Sequence, residues 1–432
     1  MRKLLLASAA TLLAGGAALA QPVTQAAPGK TSVYLQGFFT TGYGVYGDSG
    51  MSEVAAGSNY KLNNNGMFGD IHIIPGFDGQ TLNGILYGVR VELRDAVYNA
   101  GAGKNNNTST SSPLTGSPTP TTVSSQGTGS MYVQRAYGYI GTKDYGFIRL
   151  GQTDSAFTLS QTGVLEDFGD HEQFNCDNTA CAMIDNDPAG MIFADSSHLY
   201  STSKVVYISP AVAAMGGTLS GIIGFEPNSN GIKEGYADVS SANGANVNSI
   251  SGGSQTRRRN TIDVSATYAN EVDGFANKLS VAYLHSSPLG NTTGPQAYKA
   301  MSVYQVGAQT TYAGFTVGGN IKGGQADKGY NFTPKGGRSA FAYIIGATYN
   351  NGPYTVGAHY FNEQTAGAWT QGGAVARTLS QYGVAVGGDY QLAKPVTLYV
   401  QYGYGHNHQP GAVGTSGNTQ VQFVSTGAFF KW

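Results

Sequence analysis

The segment Ile85-Leu-Tyr-Gly-Val-Arg-Val-Glu-Leu-Arg94 decides the fold class. Its odd positions, Ile85, Tyr87, Val89, Val91 and Leu93, are apolar, while the even positions include Arg90, Glu92 and Arg94. A period of two is a strand period, because successive side chains on a pleated backbone point to opposite faces. One face suits lipid. The other carries charge of both signs, which is costly in hydrocarbon and acceptable beside water. The alternation recurs at 261–268, where Ile262, Val264, Ala266 and Tyr268 interleave with Thr261, Asp263, Ser265 and Thr267. It is less regular at 421–432, where Val424, Ala428, Phe430 and Trp432 share a parity.

Applied along the chain, this test predicts sixteen strands, near 32–46, 66–77, 82–97, 130–142, 146–153, 199–209, 217–226, 260–270, 276–286, 300–313, 314–324, 339–350, 353–363, 379–391, 395–406 and 419–432. Eighteen is the alternative count. Tight turns are expected at Phe77-Asp-Gly-Gln, Thr142-Lys-Asp-Tyr, Asn270-Glu-Val-Asp-Gly, Ala313-Gly, Asn350-Asn-Gly-Pro and Ala393-Lys-Pro. Longer polar stretches such as 98–129, 227–259 and 325–338 lie between them. Short turns on one rim and long loops on the other describe an all-β, antiparallel transmembrane barrel with periplasmic turns and extracellular loops. The chain ends in a strand at Trp432, and closure against the first strand from Ser32 would remove both sheet edges.

Composition agrees. There are 63 glycines and 28 tyrosines, while charged residues make up only 11%. Uncharged polar faces beside aromatic ones suit strands between lipid and a wet lumen, and disorder would favour charge over aromatics. A net charge of −1 gives no argument for nucleic acid. Residues 1–20, with Arg2 and Lys3, an apolar run through Leu13 and Ala18-Leu19-Ala20, read as a secretory signal peptide. Residues 21–31 read as a periplasmic leader and 32–432 as the barrel. No other run reaches the 18 or so apolar residues of a spanning helix.

One connection, 154–198, does not fit a surface role. It contains Leu165-Glu-Asp-Phe-Gly-Asp-His-Glu172 and carries acids but neither Lys nor Arg. It also holds Phe157, Leu159, Leu165, Phe168 and Phe174, which are too apolar for a floppy excursion. In an exported protein Cys176 and Cys181 are expected to form a disulfide closing a very small loop, with a metal site involving His171 and Asp177 as the rival. Asp185-Asn-Asp-Pro-Ala-Gly190 is similar to the start of a calcium loop but has Ala189 at the fifth position and Ser196 at the twelfth. Arg257-Arg258-Arg259 reads either as a rim cluster that meets lipopolysaccharide or as a solvated loop. The run 100–129 reads as a flexible loop or as an arm over a neighbouring subunit.

The order of several segments resembles the Gram-negative general porins. Gln134-Arg-Ala-Tyr-Gly-Tyr-Ile-Gly141, Gly146-Phe-Ile-Arg-Leu-Gly-Gln152 and Glu166-Asp-Phe-Gly169 are similar to that family's fourth strand, fifth strand and third loop. Ser32-Val-Tyr-Leu-Gln-Gly-Phe resembles its first strand, Val205-Val-Tyr-Ile-Ser-Pro-Ala-Val212 its Val-Arg-Tyr-x-Ser-Pro segment, with Lys204 nearby, and Trp432 its final aromatic. The resemblance implies a homotrimer in the outer membrane. Its inward-folded third loop would narrow a passage for small hydrophilic solutes. Glu166, Asp167, Asp170 and Glu172 would stand on the loop, opposite Arg90, Arg94, Arg135 and Arg149 on the wall. Opposed charges would orient polar solutes, or serve as salt bridges that hold the loop. Phe430 and Trp432 would be the signal read by the barrel assembly machinery. Two departures bear on pore size and ion preference: Gln152 replaces a usual arginine, and the loop is longer and carries the cysteines.

No Gly-x-Ser-x-Gly, His-Glu-x-x-His or phosphate loop occurs, and the seven histidines are scattered, so neither an enzyme nor a cofactor is expected. The other readings are a channel selective for sugars or organic anions, which lumenal Tyr137 and Tyr139 would favour, a barrel-anchored adhesin or receptor, and an outer-membrane hydrolase.

Overall fold

The computed structural model describes residues 26–49, 63–96, 131–174, 202–228, 258–288, 298–327, 330–367, 378–408 and 418–432. The strands are β1 (Lys30–Asp48), β2 (Asn65–Gln80), β3 (Leu86–Ala96), β4 (Tyr132–Thr142), β5 (Gly146–Thr153), β6 (Thr202–Ile208), β7 (Val212–Ala214), β8 (Gly217–Asn228) and β9 (Arg258–Val272). They continue as β10 (Phe275–Pro288), β11 (Met301–Tyr312), β12 (Phe315–Gln325), β13 (Ala340–Asn351), β14 (Tyr354–Thr365), β15 (Leu379–Ala393), β16 (Val396–His408) and β17 (Asn418–Lys431). Among the described residues, one short helix, α1 (Ala156–Leu159), is capped by the Ser155 hydroxyl, which accepts from the Thr158 N–H.

Every strand pairs antiparallel with its neighbours, and β1 pairs with both β2 and β17. Both β6 and β7 lie against β8, as two halves of one strand interrupted around Ser209 and Pro210. The seventeen segments therefore fill sixteen strand positions of a closed barrel. Closure leaves no free edge, as a lipid environment requires of every backbone N–H and C=O.

Short connections collect on one rim. Met215-Gly216, Asp273-Gly274 and Ala313-Gly314 are two-residue turns in which both residues have positive φ, a twist that matches the flanking strands. A glycine in the second position removes half of the steric cost. Phe77-Asp-Gly-Gln is not a turn: β2 runs on through Gln80, and the chain reverses over 81–85, where Thr81 and Ile85 exchange hydrogen bonds. Sequence alone misplaced it because Asp-Gly is also tolerated at a strand end.

Outward positions match lipid. Val264, Val281, Val306, Ile321, Ile345, Val386, Val400 and Val424 form an exposed aliphatic belt. Near the short turns lie stacked aromatic pairs, Phe275 with Tyr312 and Phe315 with Tyr349, both at 4.2 Å between ring centroids. Tyr283, Tyr304, Phe341 and Tyr360 are exposed towards the opposite rim. On β11 the two girdle positions, Tyr304 and Tyr312, are about 26 Å apart along the strand, and a tilt of about 40° brings the apolar band to roughly 20 Å.

Candidate functional site

The connection from β5 to β6, here L3, folds into the barrel over its described part, 154–174. It runs along the inner wall from β9 to β17, held by inward side chains. Asp263 on β9 accepts from the Phe157 N–H at 2.8 Å, and the Gln305 amide on β11 donates to the Phe157 carbonyl at 3.3 Å. Asn320 on β12 donates to the Thr162 carbonyl at 2.9 Å, and Gln309 accepts from the Gly163 N–H at 3.3 Å. Further on, Asp389 accepts from the Gly169 N–H and Gln401 from the Asp170 N–H, both at 2.9 Å. Such bonds replace the backbone partners that an extended loop lacks.

Inward glycines let the loop lie against the wall. A Cβ on Gly307 would sit 2.2 Å from the Thr162 carbonyl oxygen, and one on Gly357 would sit 2.3 Å from the Phe168 ring. Gly357 faces Gly387 on the next strand, and Phe168 occupies the gap, fully buried. Phe174 packs against Phe361 at 4.6 Å, and Phe157 against Tyr330 at 5.8 Å. These three loop phenylalanines join Leu284, Met301, Val303 and Ile344 in one apolar cluster on the inside of the barrel. L3 turns at 168–171, where Gly169 has φ +65° and a Cβ would meet the Gln401 amide oxygen at 2.0 Å.

The predicted site residues divide into two groups. On the wall, Glu92 is a hub. It accepts from Arg94 Nε at 2.7 Å and from Arg135, and it lies 3.1 Å from His72, which also bonds Asp70. Arg135 continues to Asp154 at the root of L3, at 2.8 Å. Arg149 is 1% exposed, while its neighbours Ile148 and Leu150 face outward. Its guanidinium carbon lies 4.8 Å from the centroid of the Tyr137 ring. Arg90 stands between Gly76 and Tyr137 in register. Tyr137 and Tyr139 both face inward and are buried, with the Tyr139 hydroxyl on Asp78.

On the loop, Glu166 accepts from the Phe174 N–H at 2.6 Å and so closes the turn on itself. Asp170 accepts from the Glu172 N–H at 3.1 Å and from the Gln173 amide at 3.3 Å, and Asp167 is exposed. Asp170 and Glu172 line a cavity together with wall residues Asp70 and Lys431. His171, exposed at the turn, bonds the Glu166 carbonyl through Nδ1 at 3.1 Å. The loop acids Asp170 and Glu172 thus share a cavity with Asp70, which joins the wall arginines through His72 and Glu92.

Sequence reasoning missed a second ionic cluster. Lys204 donates to the Thr153 carbonyl at 2.7 Å and lies 3.9 Å from Glu226, which also binds Arg258 Nε at 3.2 Å and Thr261 at 2.9 Å. Arg258 is therefore neither a solvated loop residue nor a lipid-facing rim charge: it is 1% exposed and points inward. Arg258 lies four residues from the outward Ile262, so plain alternation would put it outward as well; the β9–β10 register shifts between His285 and Ser287, and this irregularity accompanies its inward position. Cys176, Cys181, Asp185 and Arg257 lie outside the described residues, as does the segment 1–20.

A search of curated proteins returns no match to this sequence. Among solved structures, the anion-selective porin from Comamonas acidovorans superposes with a TM-score of 0.54 at 12% identity, covering 93% of this chain and 100% of that one. A loop L8 deletion mutant of OmpT, an outer membrane protein of Vibrio cholerae, superposes with a TM-score of 0.50 at 12% identity, covering 93% and 99%. At these identities the likeness shows the fold. The family model described as Gram-negative porin matches residues 7–410. The chain belongs to the Gram-negative porin family, and it is a channel of the cell outer membrane.

Proposed function

We propose that L3 and the wall facing it form the constriction of a passive diffusion channel for small hydrophilic solutes and ions. The observation that carries this reading is the attachment of 154–174 inside the lumen by Asp263, Gln305, Asn320, Asp389 and Gln401. A loop fixed at so many points narrows the passage permanently, and its polar neighbours replace part of a solute's hydration. Family and fold point to a channel rather than to an enzyme.

A second reading, selectivity for organic anions or sugars, is favoured by Arg149. Its Nε and one terminal nitrogen have no hydrogen-bond partner among the described residues, and it lies against lumenal Tyr137. A guanidinium with unused donors beside an aromatic face suits a carboxylate or a polyhydroxyl ring. The homotrimer, contact with lipopolysaccharide, recognition of Phe430 and Trp432 by the assembly machinery, the 1–20 signal peptide and the Cys176–Cys181 disulfide belong to this proposal too. They are supported by family membership and by the sequence reading.

The test is single-channel recording in planar bilayers with the purified, folded protein. Uniform steps in KCl are expected, and the absence of any conductance would overturn the proposal. Reversal potentials across a KCl gradient, in the wild type and in Arg149→Gln, separate the two readings. Anion preference lost in the variant supports the second.

A further inference from the structure

Where L3 turns, its tip and the barrel wall enclose a cavity of about 240 Å³. On the wall side, Asp70, Thr40 and Phe429 form one row across β2, β1 and β17, since Thr40 pairs with both of the others. On the loop side stand Asp170 and Glu172. We propose that this cavity is a binding subsite for small primary ammonium ions, a substrate class that rests on the reading of L3 as part of the diffusion path.

Two buried oxygens at the cavity are open to accept a hydrogen bond. Asp70 Oδ1 and Thr40 Oγ1 have no hydrogen-bond partner among the described residues, although Asp70 is only 4% exposed and Thr40 only 3%. The other Asp70 oxygen is taken by His72. A buried carboxylate oxygen without a donor keeps an uncompensated desolvation cost, and a ligand that supplies an N–H removes it. The charge around the site is mostly of one sign, with Asp70, Asp170 and Glu172 against Lys431.

The chemistry favours an ammonium over a metal ion. No group of three or more His, Cys, Asp or Glu with metal-binding geometry occurs among the described residues. The site instead has two phenyl rings, Phe38 and Phe429, with centroids 6.3 Å apart and planes at 65°. Aromatic faces attract alkylammonium ions, and the chain shows this chemistry itself: Lys431 Nζ lies 5.6 Å from the Phe429 centroid. A cavity of about 150 Å³ holds benzene, so this one has room for an ammonium with a short alkyl tail.

The test uses the full-length folded protein in planar bilayers. Butylammonium is added to KCl, with butyrate as the control of opposite charge. Butylammonium is expected to reduce the wild-type current in a saturable way, and butyrate is not. Asp70→Asn should raise the half-blocking concentration about tenfold, because it removes the negative charge that holds the ammonium, and Thr40→Val about threefold, because it removes a hydroxyl acceptor. Lys431→Met should lower it, since it removes the competing cation. Equal block of wild type and both variants, or equal block by butyrate, would overturn the proposal. Thr40→Val carries the test on its own if Asp70→Asn fails to insert. A wild-type channel that conducts KCl but ignores butylammonium overturns the subsite alone, whereas absence of KCl current overturns the channel reading.

Discussion

The wall from β2 to β5 and the wall from β11 to β16 face the same lumen but hold their contents by different means. On the first, charges bind charges: Glu92 gathers His72, Arg94 and Arg135, and Arg135 passes the link to Asp154. On the second, glycines and amides receive a loop. Gly307, Gly357 and Gly387 leave space, Gln305, Asn320 and Gln401 supply bonds, and Phe168 and Phe174 fill what remains. Ionic groups need partners of opposite charge but tolerate water between them. Close packing tolerates no extra atom. The first wall is therefore suited to face passing solute, and the second to keep a loop out of its way.

The largest effect should come from the packed side. Phe168→Ala empties a fully buried ring position and should weaken the attachment of L3 by about 3–5 kcal/mol. Barrel unfolding in detergent should barely change, because the strand ladder is untouched, while single-channel conductance and current noise rise. Unchanged conductance would mean that the loop is held by its hydrogen bonds alone.

On the ionic side, Glu92→Gln removes the carboxylate shared by Arg94, Arg135 and His72. Breaking a buried pair costs about 3–5 kcal/mol, and a wet lumen reduces this, so a loss of about 2 kcal/mol is expected as a lower denaturant midpoint. Selectivity should move towards anions in reversal-potential measurements. If the midpoint falls no further than in a surface control, the cluster is solvated rather than structural.

The smallest effect should follow from joint replacement of Glu166, Asp167 and Asp170 by Gln, Asn and Asn. Glu166 and Asp170 keep their acceptor oxygens in these variants, so the turn should survive. The anion-to-cation permeability ratio should rise by less than about twofold in 0.1 M salt, where screening acts within about 10 Å. No shift in reversal potential would place those acids away from the solute's path.

The barrel was legible from alternation alone. The period-two pattern of 85–94 put Arg90, Glu92 and Arg94 inside, and Ile148 and Leu150 around Arg149 put that arginine inside as well. The two-residue turns at Asp273-Gly274 and Ala313-Gly314 were visible because positive φ demands such residues. The misplaced turn at Phe77 shows the limit, since Asp-Gly marks a permitted reversal rather than a required one. Of the lumenal site, the acidic loop was visible and its route was not. Inward glycines on β11 to β15 look like ordinary strand glycines until a second segment lies against them.

Sequence by itself determined the strand period, the alternation of short and long connections and the parity of Arg90, Glu92, Arg94 and Arg149. All of these follow from local backbone geometry and from solvent on either face of one sheet. Tertiary structure decided which charges meet. Glu92 reaches Arg135, and Lys204 and Arg258 reach Glu226, only after the ladder register is set. It also decided that the tip of L3 arrives beside Asp70 and Lys431. Contacts across a lumen depend on the sum of many strand offsets, and no local pattern encodes that sum.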